Sequence, residues 1–203
     1  MLFHHSFLNI LKGKDPLETQ KYEYTRIFSV DVNDIIDTAS YYLQGVKRQQ
    51  YLIETDNNYY IARDLKTNTV YMCYKNVMML DFDTIDDVKF LSDEIEKSFK
   101  IYKTNRGYHA FCVSEIFDYR NKETVEYMLK YKDLGLDTTY IRYCYIRGFC
   151  VRLNKKFNET NKDNYTYVTT TNPELVDKNL NDLVDLHILK CKDYNDDYNL
   201  NLN

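Results

Sequence analysis

Asp81 and Asp83 stand two residues apart at the end of an apolar run, Asn76-Val-Met-Met-Leu-Asp-Phe-Asp83. In a strand, residues i and i+2 project from one side, so both carboxylates are expected to face one way and Phe82 the opposite layer. Two adjacent carboxylates repel unless a cation sits between them, and oxygen-only ligands suit Mg²⁺ or Mn²⁺. The competing reading is local: an acid at a strand-to-helix junction, Asp83 here, favours the N-terminus of the helix that follows.

A second group lies in Ile101-Tyr-Lys-Thr-Asn-Arg-Gly-Tyr-His109-Ala-Phe111, where Lys103, Thr104, Arg106 and His109 crowd a tight turn in a chain with four histidines. Backbone amides at such a turn, together with basic side chains, can hold phosphate oxygens. A strand histidine taken alone is more often a hydrogen-bonded structural residue. Asp137, opening Asp137-Thr-Thr-Tyr-Ile-Arg-Tyr, is the candidate third acid. Its alternative is a solvated acid at a strand start. Lys103, Arg106 and Arg152 are candidate phosphate or template contacts on electrostatic grounds.

The elements that must position these groups follow from periodicity. Tyr22–Val30 alternates as a half-buried strand, and apolar residues recur at helical intervals from Val32 to Leu43. Strands are expected at Gln50–Glu54, Tyr59–Arg63 and Val70–Tyr74, with turns at 56–58 and 66–68. After the acid-bearing strand, Thr84 with Asp87 forms a capping-box variant. It opens a helix whose face is Val88, Leu91, Ile95 and Phe99. Residues 100–104 and 108–114 form a hairpin in which Gly107 supplies positive φ. A helix is expected over Asn121–Asp133 with Gly135 as its C-cap, then strands over Asp137–Tyr145 and Phe149–Leu153 turning at Arg147-Gly148. A C-terminal helix runs from Pro173 to about Lys192, and the residues from Tyr194 onward are expected to fray.

This order predicts an α+β fold, a mostly antiparallel sheet with helices packed on one face plus the C-terminal helix. The expected division is residues 1–156 as the α+β domain, with its core at 70–155, and 157–203 as an acidic polar tail. At 203 residues with 44% hydrophobic content, the chain is long enough for one domain with a proper core. Residues 97–156 carry 13 basic and 6 acidic side chains, whereas 1–96 and 157–203 are both net acidic. A basic middle third between acidic flanks points to an anionic ligand.

Five cysteines without a CxxC pair exclude zinc-finger spacing and read as reduced structural thiols of a cytoplasmic protein. No run approaches the roughly 18 apolar residues of a membrane span, and the N-terminus lacks a signal-peptide cleavage site. The 21 tyrosines, absent tryptophan and abundant Asn, Asp and Lys suit an AT-rich coding genome, as in a large DNA virus or a parasite.

Asp81-Phe-Asp83, Gly107-Tyr-His109 and Asp137 resemble the three motifs of the archaeo-eukaryotic primase superfamily: an acid–hydrophobic–acid triplet, a small residue two before histidine, and a later acid after a hydrophobic residue. The strings VMMLDFDT and YKTNRGYHAF are similar to those of primase–polymerases of plasmids and large DNA viruses. The match covers residues 70–155, and the order and spacing of the motifs supply most of its specificity. The resemblance implies an RRM-like palm and a nucleotidyltransferase of DNA replication acting on nucleic acid and nucleoside triphosphates. Asp81, Asp83 and Asp137 would hold two divalent metals, Mg²⁺ or Mn²⁺, and His109 would contact the incoming nucleotide's phosphates. No zinc-binding cysteine set follows the motifs, and the acidic tail is a poor surface for DNA.

Two further classes remain open from sequence. The same fold could serve as a nucleic-acid-binding or regulatory module without catalysis, with strand tyrosines such as Tyr143 and Tyr145 stacking bases. Alternatively, the acids are caps, the basic zone binds a protein, and the chain is a structural or interaction protein.

Overall fold

The computed structural model describes residues 31–37, 50–65, 67–154 and 165–197. The expected strand at 22–30 and the later part of the helix expected over 32–43 lie outside them, while 32–37 are helical. The architecture is α+β with antiparallel sheets and a C-terminal helix. Eight strands are described: β1 (Gln50–Thr55), β2 (Tyr59–Asp64), β3 (Val70–Tyr74), β4 (Met79–Phe82), β5 (Phe99–Lys103), β6 (Tyr108–Cys112), β7 (Phe149–Arg152) and β8 (Thr166–Thr170). Beyond residues 32–37, the α-helices are α1 (Ile85–Lys89), α2 (Lys122–Leu129), α3 (Thr138–Arg147) and α4 (Lys178–Asp197).

The strands form two four-stranded sheets, ordered β1-β2-β3-β7 and β4-β6-β5-β8. One continuous sheet was the expectation. The difference arises at residues 75–78, where the chain leaves β3 and re-enters an extended path whose partner is β6. Val77 and Met78 are fully buried there, so the junction is sealed into the core. The sheets meet where Tyr74 of β3 packs edge-on against Phe111 of β6, with ring centroids 6.1 Å apart.

Helix α4 closes this junction. Tyr74 donates its hydroxyl to the Leu183 carbonyl at 3.1 Å, and Tyr102 of β5 donates to Asp185 at 2.9 Å. Asp185 also pairs with the nearly buried Lys100. The buried stripe of α4 is Leu180, Val184, His187 and Cys191, a spacing that keeps one helical face inward. Leu189 is exposed. The helix extends through Asp197, past the expected fraying point at Tyr194.

Three local expectations are corrected. The helix after β4 ends early: α1 passes into a 3₁₀ turn at Phe90–Asp93, Ile95 is exposed, and Phe99 begins β5. The segment Asp137–Tyr145 is helical rather than extended. The Asp137 carboxylate accepts from the Thr139 N–H at 2.7 Å as N-cap of α3, and Ile141 and Cys144 point into the core. Thr166–Thr170, within the segment expected to be a polar tail, forms β8 on the edge of the second sheet beside β5.

Cys73 and Cys150 form a disulfide, where reduced thiols were expected. The pairing of β3 with β7 sets these two residues directly opposite each other although 77 positions separate them, a juxtaposition no spacing rule reveals. Cys112, Cys144 and Cys191 form no disulfide and are buried. Among the described residues no helix is long and apolar enough to cross a membrane.

Candidate functional site

β4 and β6 are neighbours, and their register places Asp81 directly opposite His109. Opposed residues of an antiparallel pair share a face, and His109 Nε2 lies 3.5 Å from Asp81 Oδ1. Phe82 points the other way, fully buried, with its ring edge-on to Tyr131. Asp83 lies one residue beyond the strand and is exposed.

Gly107 lies in the turn between β5 and β6, and its φ is not positive, contrary to the expectation. Its role is close approach: a Cβ there would sit 2.1 Å from the Phe82 carbonyl oxygen. Only glycine lets the hairpin tip close over the end of β4 and bring Arg106 to the acids. The sequence suggested turn amides that could hold phosphate oxygens, but two of them are engaged within the turn. Thr104 Oγ1 accepts from the N–H groups of Gly107 and Arg106 at 3.1 and 3.3 Å.

These groups open into a cleft of about 380 Å³, within the range of small-ligand sites. Asp81, Asp83 and His109 line it from the second sheet and Arg106 from the hairpin. Arg152 and Tyr71, paired in register on β7 and β3, line it from the first sheet. The remaining wall is α3, through Tyr140, Tyr143 and Arg147, with Tyr165 beside them.

Five of the seven candidates from sequence therefore share one cleft. Lys103 does not. In the β5–β6 ladder Tyr102 opposes His109 while Lys103 opposes Tyr108, so alternation turns Lys103 to the opposite face. Asp137 is exposed and engaged as the cap of α3, and it does not line the cleft. Arg147 had no role from sequence. Helical phase places it one turn from Tyr143, and that signal was hidden because the segment reads as a strand.

Burial pushes the His109 imidazole down to about 3, with His187 and Arg152 adding to the shift. Its contact with Asp81 is therefore that of a neutral ring beside a carboxylate at pH 7, not an ion pair. His109 Nδ1 is buried without a hydrogen-bond partner, and the ring packs against Tyr165 with centroids 5.5 Å apart.

Among the described residues no three His, Cys, Asp or Glu side chains gather as a metal-holding group. What the cleft offers is two carboxylates with arginines opposite. Mg²⁺ fits such a donor set because it keeps several waters and completes its shell with one or two carboxylates plus a ligand's phosphate oxygens. Compared with known protein families, curated proteins and solved structures, the chain matches none.

Proposed function

We propose that the cleft binds a nucleoside triphosphate with a divalent cation and transfers its nucleotidyl group to a nucleic-acid 3′-hydroxyl, as primase–polymerases do. The observation that carries this reading is the placement of Asp81, Asp83 and His109 together with Arg106 and Arg152 in one cavity. Acids alone suit a cation, and arginines alone suit an anion. A metal–triphosphate calls for both.

In this reading Asp81 and Asp83 hold Mg²⁺ or Mn²⁺, which supplies charge neutralisation for the phosphate oxygens and the departing pyrophosphate. His109, neutral at pH 7, donates one N–H to a phosphate oxygen and competes with the cation for nothing. Arg152, close enough to influence the imidazole, and Arg106 at the hairpin hold the remaining negative oxygens as charge-assisted donors. The 3′-hydroxyl gives its proton to solvent and its oxygen bonds to the α-phosphorus as the bond from that phosphorus to the pyrophosphate oxygen breaks. An RRM-like palm, made of the sheet that carries Asp81 and His109, belongs to the same proposal.

A second reading has one observation in its favour. Asp137 is committed to capping α3, leaving two acids where the resemblance implies three. The cleft then binds nucleotide or nucleic acid without transfer.

Nucleotide incorporation on a primed template with Mn²⁺ separates the two, with the wild type beside Asp81→Ala/Asp83→Ala. Incorporation by the wild type alone supports transfer. Mn²⁺-dependent nucleotide binding without incorporation supports the binding module, and neither signal from the wild type removes both.

A further inference from the structure

Arg147 is held more firmly than a surface arginine needs to be. It is the last residue of α3, and Gly148 follows at φ 94°. A Cβ on Gly148 would lie 2.3 Å from the Tyr74 carbonyl oxygen, so the helix end presses directly on β3. From the other side the Tyr60 hydroxyl donates to the Arg147 carbonyl at 2.9 Å. The backbone that launches this side chain is fixed at both flanks.

The side chain is fixed as well. Its guanidinium lies 5.5 Å from the Tyr71 ring centroid and 5.5 Å from that of Tyr143, within cation–π range of both. Tyr71 belongs to β3 and Tyr143 to α3 itself, so sheet and helix grip one planar group. Among the described residues no carboxylate lies within ion-pair distance of Arg147. Its partners are the ring faces of Tyr71 and Tyr143, its Nε is buried without a hydrogen-bond partner, and the residue lines the cleft. A guanidinium is a planar fork of donors that matches two oxygens of a phosphate.

We propose that Arg147, gripped by Tyr71 and Tyr143, is the anion anchor of the cleft and takes the terminal phosphate of a polyphosphate chain. This rests on the reading that the cleft accepts a nucleoside triphosphate and adds the residue that receives its far end. A single carboxylate or phosphate ligand would leave either the acids or the arginines facing nothing. A linear polyphosphate carries negative oxygens along its length, so one end engages Arg147 while the other lies by Asp81 and Asp83. Tyr71 and Tyr143 are positioning residues: they act through the guanidinium.

The test is calorimetric binding of tripolyphosphate at low salt in EDTA, which separates the anchor from metal binding and from catalysis. Arg147→Gln should weaken binding at least tenfold. Arg147→Lys should recover only part of that loss, since an ammonium keeps the charge without the planar fork. Tyr143→Leu should weaken binding several-fold while Mn²⁺ affinity stays unchanged, which general misfolding would not allow. In Asp81→Asn/Asp83→Asn, metal-free tripolyphosphate should bind as well as in wild type or better, because two negative charges have gone.

Unchanged tripolyphosphate affinity in Arg147→Gln overturns the proposal. So does a result in which Arg147→Gln weakens a single-stranded oligonucleotide but not tripolyphosphate, which would assign Arg147 to backbone phosphates. Arg147-dependent tripolyphosphate binding in a protein that incorporates no nucleotide would refute the transferase reading and leave the anchor standing. Incorporation with Arg147-independent tripolyphosphate binding would do the reverse.

Discussion

Replacing His187 by phenylalanine should flatten the acid limb of the stability curve. His187 is fully buried on α4, its ring 4.9 Å from Phe111 and 4.9 Å from Tyr165 between centroids. Nδ1 lies 2.7 Å from the Val184 carbonyl oxygen. A carbonyl only accepts, so Nδ1 carries the proton, and Nε2 is left as a buried lone pair without a partner. Burial pushes this imidazole from 6.5 down to about 4; the Val184 carbonyl and Asp185 oppose the shift, and Lys100 adds to it.

The folded value lies below the unfolded one, so below pH 6.5 the unfolded chain binds the proton first. Stability contributed by the neutral ring is complete above about pH 6.5 and is lost as pH falls through about 4. Linkage over that interval amounts to about 2–3 kcal/mol between pH 7.5 and 4.5. Phenylalanine keeps a ring among the aromatic neighbours and removes the unpaired nitrogen. At pH 7.5 His187→Phe should therefore fall within about 1.5 kcal/mol of wild type.

Urea unfolding followed by circular dichroism at pH 7.5, 6.5, 5.5 and 4.5 gives both curves, and groups common to the two proteins cancel in their difference. The gap should shift in favour of His187→Phe by about 2–3 kcal/mol on acidification. Parallel curves would refute the buried-neutral assignment.

Asp81→Ala/Asp83→Ala should abolish Mn²⁺-dependent incorporation while metal-free unfolding stays within about 0.5 kcal/mol of wild type, because neither acid is buried; a large loss of melting temperature would mean that the acids serve the fold. Asp137→Ala removes the cap of α3 and should cost about 1 kcal/mol in urea unfolding, with Mn²⁺ affinity, read by calorimetry, unchanged. Gly107→Ala forces a Cβ against the Phe82 carbonyl and should cost about 1–3 kcal/mol, lowering incorporation as β4 and the hairpin part. Reducing Cys73–Cys150 releases a closed loop of 77 positions and should lower unfolding free energy by about 4 kcal/mol in the chain-entropy estimate, with non-reducing peptide mapping to verify the link.

Much of this molecule is legible in one dimension. β3 spans the residues its apolar run predicts, Val70–Tyr74, and the turn residues around β1, β2 and β6 bound them closely. Gly135 adopts φ 91°, as a residue ending a helical segment should. That Asp81 and Asp83 line one cleft agrees with the alternation expected of neighbours two apart, although Asp83 lies one residue beyond β4. α3 was not readable. Its sequence, TTYIRYCYIR, is rich in β-branched and aromatic residues that favour strands, and the helix depends on the Asp137 cap and on burying Ile141 and Cys144. β8 was missed because it is exposed along nearly its whole length. Its place comes from pairing with β5, not from apolar periodicity.

Sequence by itself determined which residue types could handle a cation and a phosphate, and which neighbours alternate on a strand. The tertiary structure alone decided that β4 pairs with β6, so that Asp81 meets His109, and that Lys103 turns away. It also decided that Arg147 and Arg152, from a helix and a strand, face the acids across one cleft. The physical reason is that strand partnership and helix phase are settled by burial summed over the whole chain, whereas propensity and spacing report only on neighbours.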